Sequence, residues 1–394
     1  MMKKITLGLC LTVFLLMGSM RLVFASGVRI TNVRWDIESI ETRIKIHYVL
    51  ETDENTLIDK DHPLYIFISY TLDSNNKTLS WRRPLDANLD INGNGSKNES
   101  RDSIISSIGK HAAYFYWNGE KHTRDEVSRA NFKLRIHAKE MILVPADQYV
   151  IGNSGANFEV NGRVELSAFY AMKYPVTLEE YTNYLNEIER DNTGLREYQY
   201  KYNLKMAGAE HGIVRKGDPG NYIYTIAPGR EHCPIVYVTW YNAYDYARWA
   251  GLRLLTEAEW EVLARGKDGR TYSWGNSPEP NGNICNMFND DVHRPSDVHR
   301  YEDIWNKLNL STPFGAKELT GNVWEWVDTY WYSNDSSTYD SAKSQTSYKN
   351  TSNRLLRGGD WGTDVAWQCA AARNNDMTSL SRKHGIGFRC AMDY

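Results

Sequence analysis

The most informative segment of the sequence is Glu318-Leu319-Thr320-Gly321-Asn322-Val323-Trp324-Glu325-Trp326. Three shorter motifs accompany it and share its mixture of tryptophan, glycine and charged residues. In chain order they are Leu254-Leu255-Thr256-Glu257-Ala258-Glu259-Trp260-Glu261, Arg357-Gly358-Gly359-Asp360-Trp361 and Gly387-Phe388-Arg389-Cys390. Each motif alone is weak evidence. Four of them in a fixed order make a specific signature.

Together the four motifs closely resemble the formylglycine-generating enzyme family, also called the sulfatase-modifying factor family. The resemblance extends from residue 141 to residue 394. It implies an α+β domain at 141–394 with the family's irregular, loop-rich fold, which is related to that of the C-type lectins.

The chain before this domain has a different pattern. Short runs of alternating apolar and polar residues, such as Arg43–Val49 and Leu64–Tyr70, are separated by turn-forming clusters. Several such strands in little more than a hundred residues predict an all-β sandwich of the immunoglobulin or fibronectin type at 28–138. The boundary between the two domains is predicted between Ala138 and Met141.

Three helix ends can be predicted from capping residues within the second domain. Thr177 can cap a helix that begins directly after it. Gly251 is suited to end the helix predicted at 241–250, because glycine adopts the left-handed conformation readily. Thr256 and Glu259 have the spacing of a capping box at the start of a further helix.

The composition and the N-terminal sequence indicate the partners and the cellular compartment of the protein. The net charge is −3, from 46 basic and 49 acidic residues spread along 394 residues, so no nucleic-acid partner is expected. Residues 1–25 read as a signal peptide: a basic start, an apolar run and a cleavage site after Ala25. We therefore expect a periplasmic or secreted protein. No later apolar stretch reaches the roughly 20 residues of a membrane span.

Removal of the signal peptide leaves four cysteines: Cys233, Cys285, Cys369 and Cys390. The family resemblance implies that Cys369 and Cys390 would each be bridged to a cysteine of the central helical segment. Those partner positions are Ala247 and Ala264 in this chain. Both family bridges are therefore impossible, which leaves open a Cys369–Cys390 bridge or four free thiols.

The resemblance also defines the site and its main departure from the family. The enzymes hold Cu(I) between two cysteines that follow a Gly-Gly-Ser segment. The first of these positions corresponds to Thr363 here, the second falls within a shortened loop near Gln368, and Asp360 replaces the serine. Neither threonine nor glutamine supplies the soft sulfur ligand that Cu(I) prefers. We expect no bound copper, and the catalytic residues, if any exist, are unknown. The groove-lining residues implied by the family are Trp324, Asp360, Trp361 and Trp367.

A different metal is conceivable in the same loop. Asp360, Asp364 and His384 combine two carboxylates with an imidazole, a set that suits iron or zinc. The alternative is that these three side chains are solvated loop residues.

Calcium is the cofactor that the family resemblance implies, in a structural role. Transferred position by position, one family site falls on Glu318, Gly321, Val323 and Glu325. The alternative is that Glu325 is a buried acid paired with an arginine such as Arg389. A second calcium site would begin at Asn283 and Ile284, with Asp290 or Asp291 completing it; the alternative is that the loop at 286–301 is an unliganded polar surface.

Two functional classes remain open at this point. The first is a calcium-stabilised binding or structural-interaction protein whose aromatic groove holds a peptide, a protein or a glycan. The second is an oxidoreductase or other enzyme of the formylglycine-generating family that acts on a protein substrate. The missing cysteine pair favours the first class, and whether the protein is an enzyme stays open.

Overall fold

The computed structural model describes residues 22–23, 28–38, 43–52, 58, 61–71, 89–90, 104–105, 109–116, 133–152, 162–188, 212–217, 222–288, 293–330 and 353–394. Apart from Leu22 and Val23, the predicted signal peptide lies outside these residues. Asp290 and Asp291, predicted to complete the second calcium site, also lie outside them.

Strands dominate the described part of the chain. The strands are β1 (Leu22–Val23), β2 (Val28–Glu38), β3 (Arg43–Thr52), β4 (Leu64–Thr71), β5 (Leu89–Asp90), β6 (Ile104–Ile105), β7 (Gly109–Tyr116), β8 (Lys133–Val144), β9 (Asp147–Ile151), β10 (Gly162–Leu166), β11 (Phe169–Met172), β12 (Ile213–Lys216), β13 (Ile223–Ile226), β14 (Arg253–Leu254), β15 (Trp324–Tyr330), β16 (Asn353–Arg357), β17 (Arg373–Thr378), β18 (Ile386–Phe388) and β19 (Cys390–Asp393). The helices are α1 (Leu178–Ile188), α2 (Trp240–Ala250), α3 (Glu257–Arg265) and α4 (Glu302–Leu308). Short helices among irregular strands make the α+β fold predicted from the sequence.

The larger sheets are one in the N-terminal part, one in the C-terminal part and one that combines strands of both. A six-stranded sheet has the order β14-β19-β11-β8-β4-β6, and a four-stranded sheet has the order β17-β16-β15-β18. In the four-stranded sheet β15 runs parallel to β18 and β16 runs antiparallel to its neighbours. A five-stranded sheet, β1-β2-β3-β7-β5, is built from the N-terminal segment.

The predicted domain boundary lies inside strand β8. Residues 133–140 of this strand pair with β4, and residues 141–144 pair with β11. Lys139, Glu140 and Met141 are buried, and the Tyr65 hydroxyl of β4 donates a hydrogen bond to the carbonyl of Ala250 at 2.9 Å. The chain therefore passes through 138–141 as a paired strand and not as an exposed linker. The division into two domains stays a prediction.

The predicted helix ends are confirmed. Helix α1 begins directly after Thr177, whose hydroxyl accepts a hydrogen bond from the Glu180 backbone N–H at 3.3 Å. Helix α2 ends at Ala250, and Gly251 follows in the left-handed conformation with φ 71°. Thr256 and Glu259 form the reciprocal capping box at the start of α3.

The acidic residues of the Leu254–Glu261 motif are explained by buried ion pairs. Helix α3 directs Glu257 and Glu261 into the protein, where the Arg357 guanidinium donates to Glu261 at 2.5 Å and that of Arg373 donates to Glu257 at 2.5 Å. Arg265 donates to Glu261 as well, at 2.6 Å. Buried charges need such partners. The network fixes the end of β16, from which the Gly358-Gly359 loop departs.

No helix within the described ranges combines the length and apolar character that a membrane crossing requires.

Candidate functional site

The candidate site is built on the loop that follows β16. Gly358 and Gly359 have φ values of 102° and 73°, a region that glycine reaches without steric cost. A Cβ atom on Gly358 would lie 3.0 Å from the Trp260 ring, and one on Gly359 would lie 2.7 Å from the Gln368 side-chain oxygen. The two glycines therefore let the backbone lie directly against Trp260 and Gln368.

Thr363 and Gln368, the two residues that the family resemblance sets against the copper cysteines, contact each other. The Gln368 Nε2 donates a hydrogen bond to Thr363 Oγ1 at 2.9 Å and another to the Asp360 carbonyl at 3.0 Å. The Asp360 backbone N–H donates in turn to Thr363 Oγ1 at 2.9 Å. The 360–368 loop is thus closed by hydrogen bonds of the Thr363 and Gln368 side chains.

The Asp360 carboxylate lies against Gly385, the residue that precedes β18. Its Oδ1 accepts a hydrogen bond from the Gly362 backbone N–H at 3.1 Å, and its Oδ2 packs so close to Gly385 that a Cβ there would lie only 1.8 Å away. Burial raises the pKa of Asp360. Gly385 is thus needed to make room for this carboxylate.

Three indole rings lie around the same point. The rings of Trp324 and Trp367 meet edge to face with centroids 6.0 Å apart, and the Trp361 ring lies 4.8 Å from that of His384. The Trp324 backbone N–H donates to the Gly385 carbonyl at 2.8 Å, which ties the rings to Asp360. Trp361 and Trp367 are half-buried, whereas Trp324 is only 3 % exposed.

Two further aromatic residues contact this region and were missed by reasoning from the sequence. Tyr237 has a left-handed backbone with φ 60°, unusual for a bulky residue, and its ring lies 6.4 Å from that of His384. Phe288 is 55 % exposed, and its backbone N–H donates to the Thr363 carbonyl at 3.1 Å. The sequence places Tyr237 in a family strand but carries no signal for its backbone conformation.

The structure does not assemble the alternative iron or zinc site. The Asp364 Oδ1 accepts a hydrogen bond from the Ala366 backbone N–H at 3.2 Å and so caps the short 3-10 turn at Val365–Trp367. His384 is exposed and lies beside Trp361. Within the described ranges, no three or more His, Cys, Asp and Glu side chains are grouped so as to hold a metal ion.

Glu325 is engaged by protein groups and not available to calcium. Its carboxylate accepts hydrogen bonds from Arg389 Nη2 at 2.7 Å, from Arg389 Nε at 2.8 Å and from Trp260 Nε1 at 2.8 Å. Glu325 is 1 % exposed and Arg389 is fully buried. A calcium ion at this carboxylate would stand beside a buried guanidinium. The structure therefore has the ion pair that was the alternative reading of Glu325.

The other predicted calcium ligands differ in how well they fit. Glu318 is half-buried, and burial raises the pKa of its carboxyl group to about 8; the Asn322 side chain donates to it at 2.7 Å. Gly321 and Val323 follow in the same loop and are buried. At the second predicted site Asn283 is exposed, and the Ile284 carbonyl already accepts a hydrogen bond from Trp305 Nε1 at 2.7 Å. The Glu318 carboxyl group thus has a neutral partner, Asn322, whereas Glu325 is paired with Arg389.

None of Cys233, Cys285, Cys369 and Cys390 forms a disulfide in the structure. Cys390 lies fully buried in β19, and Cys369 is half-buried between the 3-10 turn and β17. Cys369 packs against the aromatic cluster that contains Tyr272 and Cys285, whereas Cys390 belongs to a separate core cluster with Ala247. Of the two alternatives left open by the sequence, the structure has the one with free thiols.

The contact between Gly385 and Asp360 can be tested by overpacking. We expect Gly385→Ala to lower the free energy of unfolding by about 1–3 kcal/mol, because the new methyl group collides with the Asp360 carboxylate. In an Asp360→Ala background the same substitution should cost much less, which a double-mutant cycle measured by chemical denaturation would show. Gly362→Ala is the matched control, since its Cβ would lie 3.6 Å from Asp360 Oδ1. Additive costs at 360 and 385 would contradict the packing described.

The part of the chain that contains this site matches a known protein family. Residues 127–394 match the family described as the sulfatase-modifying factor enzyme 1-like domain. The match covers about two thirds of the chain and includes the loop, the rings and the glycines described above.

Several named proteins align with the same part of the chain. The formylglycine-generating enzyme of Bos taurus is 27% identical over 296 residues, which is 65% of this chain and 75% of that protein. The formylglycine-generating enzyme of Streptomyces coelicolor is 36% identical over 175 residues, covering 42% of this chain and 54% of that protein. The serine/threonine-protein kinase Pkn1 of Chlamydia trachomatis is 31% identical over 278 residues, covering 68% of this chain but only 40% of the kinase.

Solved structures with a similar course of the chain include the Treponema denticola variable protein 1, at 16% identity and a TM-score of 0.46. The alignment covers 66% of this chain and 96% of the Treponema denticola protein. PvdO from Pseudomonas aeruginosa has 23% identity and a TM-score of 0.45, covering 65% of this chain and 95% of PvdO.

Proposed function

The chain belongs to the sulfatase-modifying factor enzyme 1-like family, and on that premise we propose that it is an exported binding or structural-interaction protein without copper-dependent formylglycine synthesis. The single observation that carries the proposal is the chemistry of the 360–368 loop. Thr363 and Gln368 stand where the family's copper ligands are expected and are hydrogen-bonded to each other at 2.9 Å. Neither is a ligand for Cu(I).

Cys369 does not replace the missing pair. It is a single thiol, and its half-buried side chain packs against the cluster of Tyr272 and Cys285. Two thiolates are needed both to hold Cu(I) and to accept a substrate thiol in exchange. One thiol beside this loop provides neither.

The aromatic groove supports a ligand-binding role. Half-buried Trp361 and Trp367 offer broad, rigid surfaces with a polar N–H, as binding sites for peptides and glycans commonly do. The occupant that we propose is a peptide, a protein segment or a glycan. Screening peptide and glycan arrays with the full chain tests this, and ligands of the groove should be lost with Trp361→Ala. A ligand that binds Trp361→Ala and Trp367→Ala as well as the unaltered protein would speak against this groove.

The alternative is an enzyme of the same family acting on a protein substrate. Its support is the relationship to proteins named formylglycine-generating enzyme, at 27% and 36% identity. The two candidates differ in one measurable respect, which is the production of an aldehyde from a cysteine-containing peptide.

Calcium is proposed as a stabilising ion at the loop of Glu318, Gly321 and Val323. The support is Glu318, whose buried carboxyl group has a pKa raised to about 8 and which has no described ion-pair partner. A bound cation would compensate such a charge. Glu325 takes the role of partner to Arg389 in this proposal and not that of a ligand.

We expect calcium to raise the melting temperature in proportion to the logarithm of its concentration, with a gain of about 2.7 kcal/mol at one hundred times Kd. Glu318→Gln should abolish this gain. In EDTA above pH 8, where the Glu318 carboxyl group is ionised, the same variant should be at least as stable as the unaltered protein, because the amide removes a poorly solvated charge. Glu165→Gln, on the exposed side of β10, is the control. A calcium-dependent shift that survives Glu318→Gln would refute this ligand.

Export and the N-terminal β-sandwich complete the proposal. Residues 1–25 have the pattern of a signal peptide, and the strands at 28–138 are antiparallel, as a sandwich requires. We propose that this part serves as a spacer or docking module. The intact mass of the protein recovered outside the cytoplasm should correspond to a chain that begins at Ser26. Recovery of the unprocessed chain in the cytoplasm alone would contradict export.

A further inference from the structure

The carboxylate of Asp360 lacks a positive partner in the described part of the protein. It accepts a hydrogen bond from the Gly362 backbone N–H, but no described lysine, arginine or histidine forms an ion pair with it. Lys383 and His384 are the charged or titratable residues that face it, both from the 381–385 loop, and both are exposed. A half-buried carboxylate without a counter-ion is costly, and the raised pKa of Asp360 is consistent with that cost.

Tryptophans occur in the same loop as this carboxylate and in the segment that packs on it. Asp360 Oδ2 packs on Gly385, whose carbonyl accepts from the Trp324 backbone N–H, and the Trp324 ring carries the Trp367 ring at 6.0 Å. Trp361 follows Asp360 directly, and its indole Nε1 donates to the His384 carbonyl at 3.3 Å. The carboxylate and two half-buried indole rings therefore belong to one loop, residues 360–367, which is partly exposed.

This combination selects the charge of a ligand. An indole ring attracts a cation through its negative face, and a nearby carboxylate adds a counter-charge. A neutral sugar would leave the carboxylate uncompensated, and an anion would be repelled by it. Quaternary and primary ammonium groups meet both requirements, and their alkyl parts can be buried against the rings.

We propose that the groove recognises an alkylammonium group of its ligand, with Asp360 as the counter-ion and Trp361 and Trp367 as the walls. The inference rests on the proposed binding function and names the chemistry that the groove takes. Lys383 opposes the ligand's charge from the rim, so its effect has a predictable sign. The ammonium group can come from a small amine or from a lysine side chain, and the test separates the two.

The probe is choline, compared with its neutral carbon isostere 3,3-dimethylbutan-1-ol. Both are titrated into the full chain while the indole N–H signals are followed by NMR and the heat by calorimetry. We expect choline to bind about tenfold more tightly than the isostere and to shift the signal of Trp361. A second arm compares a lysine peptide, its trimethyl-lysine form and a norleucine peptide. Equal binding of choline and the isostere, or no binding of choline or either lysine peptide, would overturn the inference.

Three variants assign the effect to particular charges. Asp360→Asn should weaken choline binding about tenfold while keeping the side-chain shape. Asp364→Asn is the matched control, because its carboxylate is on the same loop, is exposed and can still cap the 3-10 turn as an amide. Lys383→Gln should strengthen binding, since it removes a repulsive charge. An unchanged affinity in Asp360→Asn, with thermal melting showing that the variant is folded, would overturn the role of Asp360.

Failure of this inference can be told apart from failure of the proposed function. If a neutral glycan or an acidic peptide binds and is lost with Trp361→Ala while choline and the lysine peptides do not bind, the groove is a binding site but not for ammonium groups. If no ligand of any charge depends on Trp361, the binding function itself fails.

Discussion

Replacing Arg389 with leucine should lower the free energy of unfolding by about 3–5 kcal/mol, the cost of removing one partner from a buried ion pair. Arg389 is fully buried and donates to both oxygens of Glu325. It also donates to the carbonyls of Met172, Lys173, Lys317 and Glu318. The substitution therefore leaves a buried carboxylate without a counter-ion and several carbonyls with fewer donors. Chemical denaturation measures the loss.

Arg253→Leu is the matched control for this prediction. Arg253 also forms a two-pronged pair, with Glu259 at 2.7 Å, but its side chain is 32% exposed. Ion pairs open to solvent contribute roughly 0–1 kcal/mol, so this variant should lose far less stability than Arg389→Leu. Equal losses in the two variants would contradict the central position given to the pair of Arg389 and Glu325.

Restoring two cysteines should create a Cu(I) site. In the double variant Thr363→Cys/Gln368→Cys we expect Cu(I) affinity to rise by a factor on the order of a thousand or more, because two thiolates replace two side chains that Cu(I) does not prefer. The native side chains already meet at 2.9 Å. Cysteine is shorter than glutamine, so the sulfur at 368 would stand back from 363 and leave space for an ion. Competition against a Cu(I) chelator measures the affinity.

Each single variant is a control, since one thiolate should bind Cu(I) much more weakly than two. Cys369→Ser is introduced into all the proteins compared, so that the natural thiol does not contribute. If the double variant binds Cu(I) no better than the single variants, residues 363 and 368 cannot approach each other as described.

Much of the fold could be predicted from local sequence signals. Thr256 with Glu259, and Gly251 after α2, are short-range capping patterns whose geometry depends on a few neighbouring residues. The family assignment was also within reach, because its motifs combine rare residues in a fixed order. The family match at 127–394 confirms it.

The remaining features depend on contacts between distant parts of the chain. Strand β8 is continuous across 138–141 because it pairs with β4 and β11. Nothing in the sequence of β8 itself predicts these two partners. Glu325 and Arg389 are 64 residues apart, so the motif alone left calcium and arginine as competing partners. The close packing of Asp360 on Gly385 likewise follows from two loops that meet only in the folded protein.

The residue types of the site could be predicted from the sequence, but the solvent exposure of their side chains could not. Trp324, Asp360, Trp361 and Trp367 do lie in one neighbourhood, yet Trp324 is nearly buried and His384 and Tyr237 take part in the surroundings. Side-chain exposure depends on how the loops pack, and a family resemblance transfers positions without transferring that packing.

The most direct test of the central claim is to incubate the purified protein with copper, oxygen and a cysteine peptide carrying the sulfatase motif, and to analyse the peptide by mass spectrometry. We predict that the cysteine remains unconverted, because Thr363 and Gln368 provide no thiolate pair for Cu(I). Formation of the aldehyde, together with tight Cu(I) binding that disappears in Cys369→Ser, would contradict the account and make the protein a formylglycine-generating enzyme.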